Sequence, residues 1–259
     1  MKHLIQKSLG RMGYELRRKR PALPLYRTSL QTLLSCQSHV NIVQVGANDG
    51  RLSDPIHDFV RGAPSRTSIL LIEPQEYLIP ILKENYSFHD AASVFQGAVG
   101  PGEDMVLHAV KREYWSKLKT IPYARGWPEY RAPTGVTSFD RDHVVRFLRN
   151  YLKEGLRVDE AITSLALRAL PLTDIIDRSG FTHRIDVLQV DAEGYDDQII
   201  YNSDIAFHCP KLINFESSNL SPDKLLTLES FLEARGYLTV PTGPDTLAIH
   251  MGPPIGDRS

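Results

Sequence analysis

The chain has 259 residues, a formal net charge of −1 at pH 7, 42% hydrophobic and 24% charged residues. This is an ordinary globular balance, and the length suits one large α/β domain, or one domain carrying an insertion. The near-neutral charge argues against a dedicated nucleic-acid binder. No apolar run spans a bilayer and no signal-peptide pattern is present.

Two cysteines, Cys36 and Cys209, form neither a metal-spaced cluster nor a disulfide framework, so a reducing, cytoplasmic setting is expected. The N-terminal stretch MKHLIQKSLGRMGYELRRKRPALP places Leu4, Ile5, Leu9 and Met12 at helical spacing and ends in the basic run Arg17, Arg18, Lys19, Arg20. Residues 1–40 are read as a basic helical extension that packs on the domain or on a partner subunit, which allows a homodimer. Contact with an anionic membrane surface is the alternative.

In chain order the pattern predicts a helix near 30–34, a strand over 41–45 and a helix over 51–60. A buried strand follows at 68–72, then a helix over 75–86 in which Pro80 is awkward, and a third strand over 93–98. Apolar strands alternating with helices imply a parallel sheet covered on both faces. Residues 105–110 suggest an antiparallel strand. From 111 to about 169 the alternation breaks into an aromatic, basic, proline-punctuated region, taken as an insertion, with helices expected over 141–156 and 158–169. The alternation resumes with a helix over 171–180, a strand ending at Asp191, a helix over 195–204 and a strand ending at Glu216. A helix with serine, proline and glycine punctuation, then an antiparallel hairpin, close the chain.

The loop Gly46-Ala47-Asn48-Asp49-Gly50 follows the first strand, where doubly wound folds bind nucleotide-like ligands. Glu73 closes the second strand about 20 residues beyond, the position from which a carboxylate accepts hydrogen bonds from ribose hydroxyls. The loop lacks the three-glycine dinucleotide spacing, and Asp49 would repel a pyrophosphate. S-adenosylmethionine, with ribose and adenine but no phosphate and two cationic groups, fits better.

The segments VGANDGRLS, LLIEP, KENY, GAVG, PLTDIID, IDVLQVDAEGYDDQII and KLINFES resemble, in order and spacing, the FkbM family of S-adenosylmethionine-dependent methyltransferases. The match covers residues 41–110 and 170–216, and Asp191-Ala192-Glu193-Gly194 is its most telling piece. The resemblance implies a doubly wound, Rossmann-like class I methyltransferase sheet, mostly parallel with an antiparallel C-terminal strand; the domain is read as residues 41–259, and the stretch of about 111–169, which the family's motifs do not cover, as an insertion or cap. It implies methyl transfer to an oxygen of a small molecule, such as a sugar or glycan precursor. It places the cofactor against Gln44, Gly46, Asn48, Gly50, Ser53, Glu73, Gln96, Ala98 and Asp191. The family usually carries an acid where this chain has Gln44 and a lysine where it has Gln189.

The proton of an acceptor hydroxyl must be removed near the cofactor's sulfur, at the carboxyl edge of the sheet. Asp191, Glu193 and Glu216 are the catalytic candidates there, with Asp191 also a cofactor contact and Glu193 alternatively a helix cap. His143 and His250 are alternative bases, although a lone histidine is more often structural. Clustered carboxylates could hold a divalent cation, but no dedicated metal motif is present and no metal ligand is assigned. Tyr114, Trp115, Tyr123, Trp127 and Tyr130 either stack on a sugar ring or pack the insertion onto the sheet. The competing readings are a nicotinamide-dependent oxidoreductase and a non-catalytic scaffold with a methyltransferase-like fold.

Overall fold

The structure, a computed structural model, describes residues 24–252. The basic segment bearing Leu4, Ile5, Leu9, Met12 and Arg17 lies outside the described residues. The first helix, α1 (Leu25–Cys36), buries Tyr26, Leu30 and Leu34, one turn apart on one face. Then come β1 (Val40–Val45), α2 (His57–Gly62), β2 (Thr67–Glu73), α3 (Leu78–Asn85) and β3 (Ala92–Gln96). The middle of the chain forms β4 (Ala98–Val99), β5 (Glu103–Val110), α4 (Arg131–Thr134), α5 (Arg141–Tyr151) and β6 (Ile162–Leu170). The last part forms α6 (Leu172–Ser179), β7 (Val187–Val190), α7 (Asp196–Tyr201), α8 (Ile205–His208), β8 (Leu212–Glu216), α9 (Pro222–Glu233), β9 (Tyr237–Pro241) and β10 (Asp245–His250).

Seven strands make the main sheet in the order β3-β2-β1-β7-β8-β10-β9. The first five are parallel, and β10 enters antiparallel between β8 and β9. Strands β1, β7 and β8 are neighbours, so the loops after Val45, Val190 and Glu216 share one edge. Both faces are apolar because β2 and the inner strands are buried on both sides. One face packs Val43, Leu70, Leu188 and Phe215 against α6, α7 and α9. The other packs Ile42, Leu71 and Val187 against α1, α2 and α3.

Three local expectations are corrected. Residues 158–169, expected as a helix, form β6 instead. The alanine- and leucine-rich run favours helix locally, but its full-length antiparallel pairing with β5, from Val110 opposite Ile162 to Glu103 opposite Ala169, wins. The third strand divides at Gly97: β3 stays in the main sheet, while Ala98 and Val99 pair with Ala169 and Leu170 in a second sheet of order β4-β6-β5. Residues 51–60 are not one helix. The Asp49 carboxylate accepts from Arg51 and Leu52 amides, and Asp54 accepts from Ile56 and His57 amides. These two side-chain turns delay the helix until His57. Pro80 sits in the first turn of α3, where its missing N–H leaves no bond unmade. The helix before the hairpin has the expected punctuation: Ser221 accepts from the Lys224 amide at 3.4 Å, Pro222 opens α9 and Gly236 takes φ +82°.

Candidate active site

The loop after β1 turns on Gly46, at φ +76°, where a Cβ would overlap the carbonyl oxygen of Asp191. A side chain here would push the β1 and β7 exits apart, so glycine is what lets the two loops meet. Glu73, the last residue of β2, is 2% exposed. Its Oε2 accepts from the Asn48 amide at 2.8 Å, and its Oε1 from the Gln75 amide at 2.9 Å and Gln75 Nε2 at 3.1 Å. Burial pushes the Glu73 carboxyl up, while these amides and the Arg131 charge pull the other way. A carboxylate oxygen carries two lone pairs, so Glu73 keeps acceptor capacity toward the cavity beside it.

That cavity is lined by Gly46, Asn48, Glu73, Ala98, Thr134 and Asp191, among others. Its roof is the segment 131–139. Gln75 Nε2 donates to Thr134 O at 3.0 Å, Thr137 Oγ1 donates to Gln75 Oε1 at 3.0 Å, and Ser138 Oγ donates to Glu193 O at 2.8 Å. The roof leaves about 70 Å³, well below the ~300–1,000 Å³ of ordinary ligand pockets.

A second, wider cleft of about 530 Å³ adjoins it, walled by Tyr123, Trp127, Phe147 and Tyr151. Arg131, Gly135, Asp191 and Glu193 line both spaces. In the turn after β7, Glu193 takes φ +51° and Gly194 φ +93°. The buried Asp196 carboxylate holds this turn by accepting from the Ala192 and Gly194 amides, each at 3.3 Å, and ties it to β8 through the Glu216 amide at 3.2 Å. Asn219 Nδ2 donates to Glu193 Oε2 at 3.1 Å and to Glu216 Oε2 at 2.7 Å. Oxygens of Asp191, Glu193 and Glu216 lie within 4.8 Å of one another.

This crowding changes the acids. Burial and the Glu216 charge push the Glu193 carboxyl up to about 8, against Arg131 and the Asn219 hydrogen bond. The Asp191 side chain opens into the cleft, yet its deep setting and the charges of Glu193 and Glu216 raise it well above the usual carboxylate range. His143, from α5, brings Nε2 to 3.0 Å from Glu193 Oε2. Burial and the Arg146 charge lower its proton affinity, opposed by Glu216 and Asp140.

The structure gathers Gly46, Asn48, Glu73, Ala98 and Asp191 around the smaller cavity, and Ser53, Asp191, Glu193 and Glu216 around the cleft. Gln44 is turned away: its Nε2 donates to Asp54 Oδ2 at 2.7 Å. Gly50 packs against α3, where a Cβ would overlap Leu82 and Tyr86. Gln96 is exposed at the end of β3. Asp49 holds its own turn, accepts from Tyr130 Oη at 3.2 Å and lies 3.7 Å from Arg131 Nε. Of the aromatics, Tyr123 and Trp127 reach the cleft, whereas Tyr114 and Trp115 pack in the apolar cluster around α5. His250 sits far down β10 against Tyr237 and Cys209.

Sequence reasoning missed Arg131, Thr134, Ser138, Asp196 and Asn219. Asp196 and Asn219 stand two and three positions past recognised residues, Gly194 and Glu216, and could have been found as turn acceptor and neighbour. Arg131, Thr134 and Ser138 come from the irregular middle region and carry no local signal.

The family described as "Methyltransferase FkbM domain" matches residues 44–239. No curated protein matches the chain. Among solved structures, a precorrin-6y C5,15-methyltransferase from Geobacter metallireducens is similar, with 13% identity, 92% of this chain and 93% of that chain covered and a TM-score of 0.38. A fibrillarin pre-rRNA processing protein from Methanococcus jannaschii has 11% identity, covers 83% of this chain and 68% of that chain, and gives a TM-score of 0.39.

Proposed function

The chain belongs to the FkbM methyltransferase family and is an S-adenosylmethionine-dependent methyltransferase, and from this we propose that it methylates a hydroxyl oxygen of a small, sugar-like acceptor. The observation that carries the reading is the junction of two spaces at Asp191 and Glu193. The smaller, behind Gly46 and Glu73, takes the cofactor. The larger, with aromatic walls and a carboxylate floor, takes the acceptor.

The cavity residues fit the cofactor. Gly46 keeps the backbone bare beside Asp191, and Glu73 Oε2, which accepts only from the Asn48 amide, offers its remaining lone pair to a ribose hydroxyl. Ala98, which opens β4 after Gly97, would border the adenine end, and Asn48 and Asp191 would border the methionine end. When bound, the cofactor supplies an electrophilic methyl group on a sulfonium. Asp191, which lines both spaces, would stand between the cofactor's sulfonium and the acceptor oxygen. Glu193 and Glu216 are placed to orient the acceptor hydroxyl and to take its proton as oxygen becomes nucleophilic. A general base of this kind contributes about 10²–10⁴-fold, and alignment of the two reactants about 7–11 kcal/mol. Tyr123 and Trp127 offer flat faces to a sugar ring. Residues of about 111–169 act in this reading as a cap that completes the acceptor side. Two free cysteines, Cys36 and Cys209, support a cytoplasmic setting. Among the described residues no helix is long and apolar enough to cross a membrane.

The test is transfer from methyl-labelled cofactor to a panel of sugars, glycan precursors, phenols and amines, with products identified by mass. The reading expects label on oxygen. Label on nitrogen acceptors alone contradicts it.

A further inference from the structure

We propose that Arg131, through its Nη1, is the partner of the carboxylate at the methionine end of the cofactor. The inference rests on the assignment of the Gly46–Glu73 cavity to the cofactor.

The methionine end of S-adenosylmethionine carries an ammonium and a carboxylate. A carboxylate taken out of water needs a cation or several N–H donors. The acids on the cavity wall, Glu73, Asp191 and Glu193, suit the ammonium and repel the carboxylate. The glycine loop would be the ordinary source of backbone donors, but its amides are spent on the loop itself. Those of Gly46 and Ala47 donate to Ile72 O, Asn48 to Glu73 and Asp49 to the Asn48 side chain. Gly50 donates to Ala47 O, and Arg51 and Leu52 donate to the Asp49 carboxylate. Among the described residues that line the cavity, Arg131 brings the only positive charge.

The Arg131 guanidinium is fixed along one edge and open at the other. Nε and Nη2 donate to Leu52 O at 3.2 and 2.9 Å, Asp49 Oδ1 lies 3.7 Å from Nε, and the Trp127 ring centroid lies 5.2 Å from the guanidinium carbon. Among the described residues Nη1 has no acceptor. It lies beside Gly135, which borders both spaces, and a Cβ at Gly135 would stand 2.6 Å from it. The Arg131 charge acts on Glu73, Asp191 and Glu193 alike, so it is felt across the cavity. An arginine whose plane is already held gives up little freedom when its open nitrogen meets a carboxylate. The bonds that close the roof come from Thr134, Thr137 and Ser138, so they can break while Arg131 stays seated on the loop after β1.

The test is calorimetric titration of the full chain with two probes: S-adenosylhomocysteine, and its decarboxylated analogue, which keeps the amine and lacks the carboxylate. The parent chain should bind S-adenosylhomocysteine at least about tenfold more tightly than the analogue. Arg131→Gln should weaken S-adenosylhomocysteine by at least about tenfold and change the analogue by less than about threefold, so that the preference disappears. An arginine that only props the roof would weaken both probes alike. Arg131→Lys keeps the charge without the planar fork, should keep part of the preference, and serves as the test if Arg131→Gln does not fold. Arg146→Gln, on the acceptor side, should leave the preference intact. Thermal unfolding confirms that each variant is folded. Equal binding of the two probes by the parent chain overturns the proposal, as does the full preference in either folded Arg131 variant. If neither probe binds the parent chain, the cofactor assignment itself fails and takes the proposal with it, an outcome distinct from binding without preference.

Discussion

Gln44 and Asp54 meet where the family's acid would stand. Gln44 Nε2 donates to Asp54 Oδ2, while Gln44 Oε1 is buried without a partner. Burial raises the Asp54 carboxyl, against the hydrogen bonds from Gln44 and the His57 and Ile56 amides. An acid raised in the folded state binds its proton more tightly there. Its contribution to stability is therefore lost as pH rises from about 3.8 through the raised value. Asp54→Asn keeps the turn-holding oxygen, and a flipped Gln44 amide can then accept from the new N–H. The variant should match or exceed the parent by about 1 kcal/mol in urea unfolding at pH 7, with the difference shrinking toward pH 4. A loss above about 2 kcal/mol at pH 7 contradicts this account. The opposite is expected at Gly46→Ala. The new Cβ meets the Asp191 carbonyl at a positive φ, so the fold should lose at least about 2 kcal/mol in the same assay. Neither effect is visible in the sequence, where Gln44 is merely a departure and Gly46 one of two equivalent-looking glycines. The structure gives the two glycines different neighbours, Asp191 for Gly46 and α3 for Gly50.

The segment 131–139 is the element that decides access. Its contacts to Gln75 and Glu193 roof a cavity of about 70 Å³, so under the proposed assignment of that cavity to the cofactor the segment has to yield for the cofactor to enter. Gln75→Ala removes the bonds to Thr134 and Thr137, and the Nε2 bond to Glu73, while leaving the Gln75 backbone amide on Glu73. Amide hydrogen exchange over 131–139 should rise, and stopped-flow association of S-adenosylhomocysteine should quicken several-fold. Unchanged exchange there would mean that Gln75 does not hold the roof. At this scale the sequence was readable where periodicity is strong: β2 and α9 announce themselves by an apolar run and by Ser-Pro…Gly punctuation. It was unreadable at β6, whose strand state depends on β5 lying beside it, and over 51–60, where two aspartate side chains replace helical bonds with turns. The roof itself has no period to read, which is why Arg131, Thr134 and Ser138 escaped.

For the whole molecule, the strand order places the exits of β1, β7 and β8 along one edge, and this alone brings Gly46, Asp191 and Glu216 together across distant parts of the chain. The alternation of strands and helices made that edge legible in advance, and the acids with it. The partners that hold those acids and their turn, Asn219, Asp196 and His143, are products of packing. A ligand seated across this edge ties together several strands of one sheet. At about 100 times its dissociation constant, S-adenosylhomocysteine should add roughly 2.7 kcal/mol, or about 5–10 °C in the unfolding temperature. The most direct measurement is a calorimetric titration of the full chain with S-adenosylhomocysteine, run beside Glu73→Ala. The account predicts saturable one-site binding that the variant, still folded, loses by at least about tenfold. Undiminished binding by Glu73→Ala, or none by the parent chain, would contradict the assignment of the Gly46–Glu73 cavity to the cofactor.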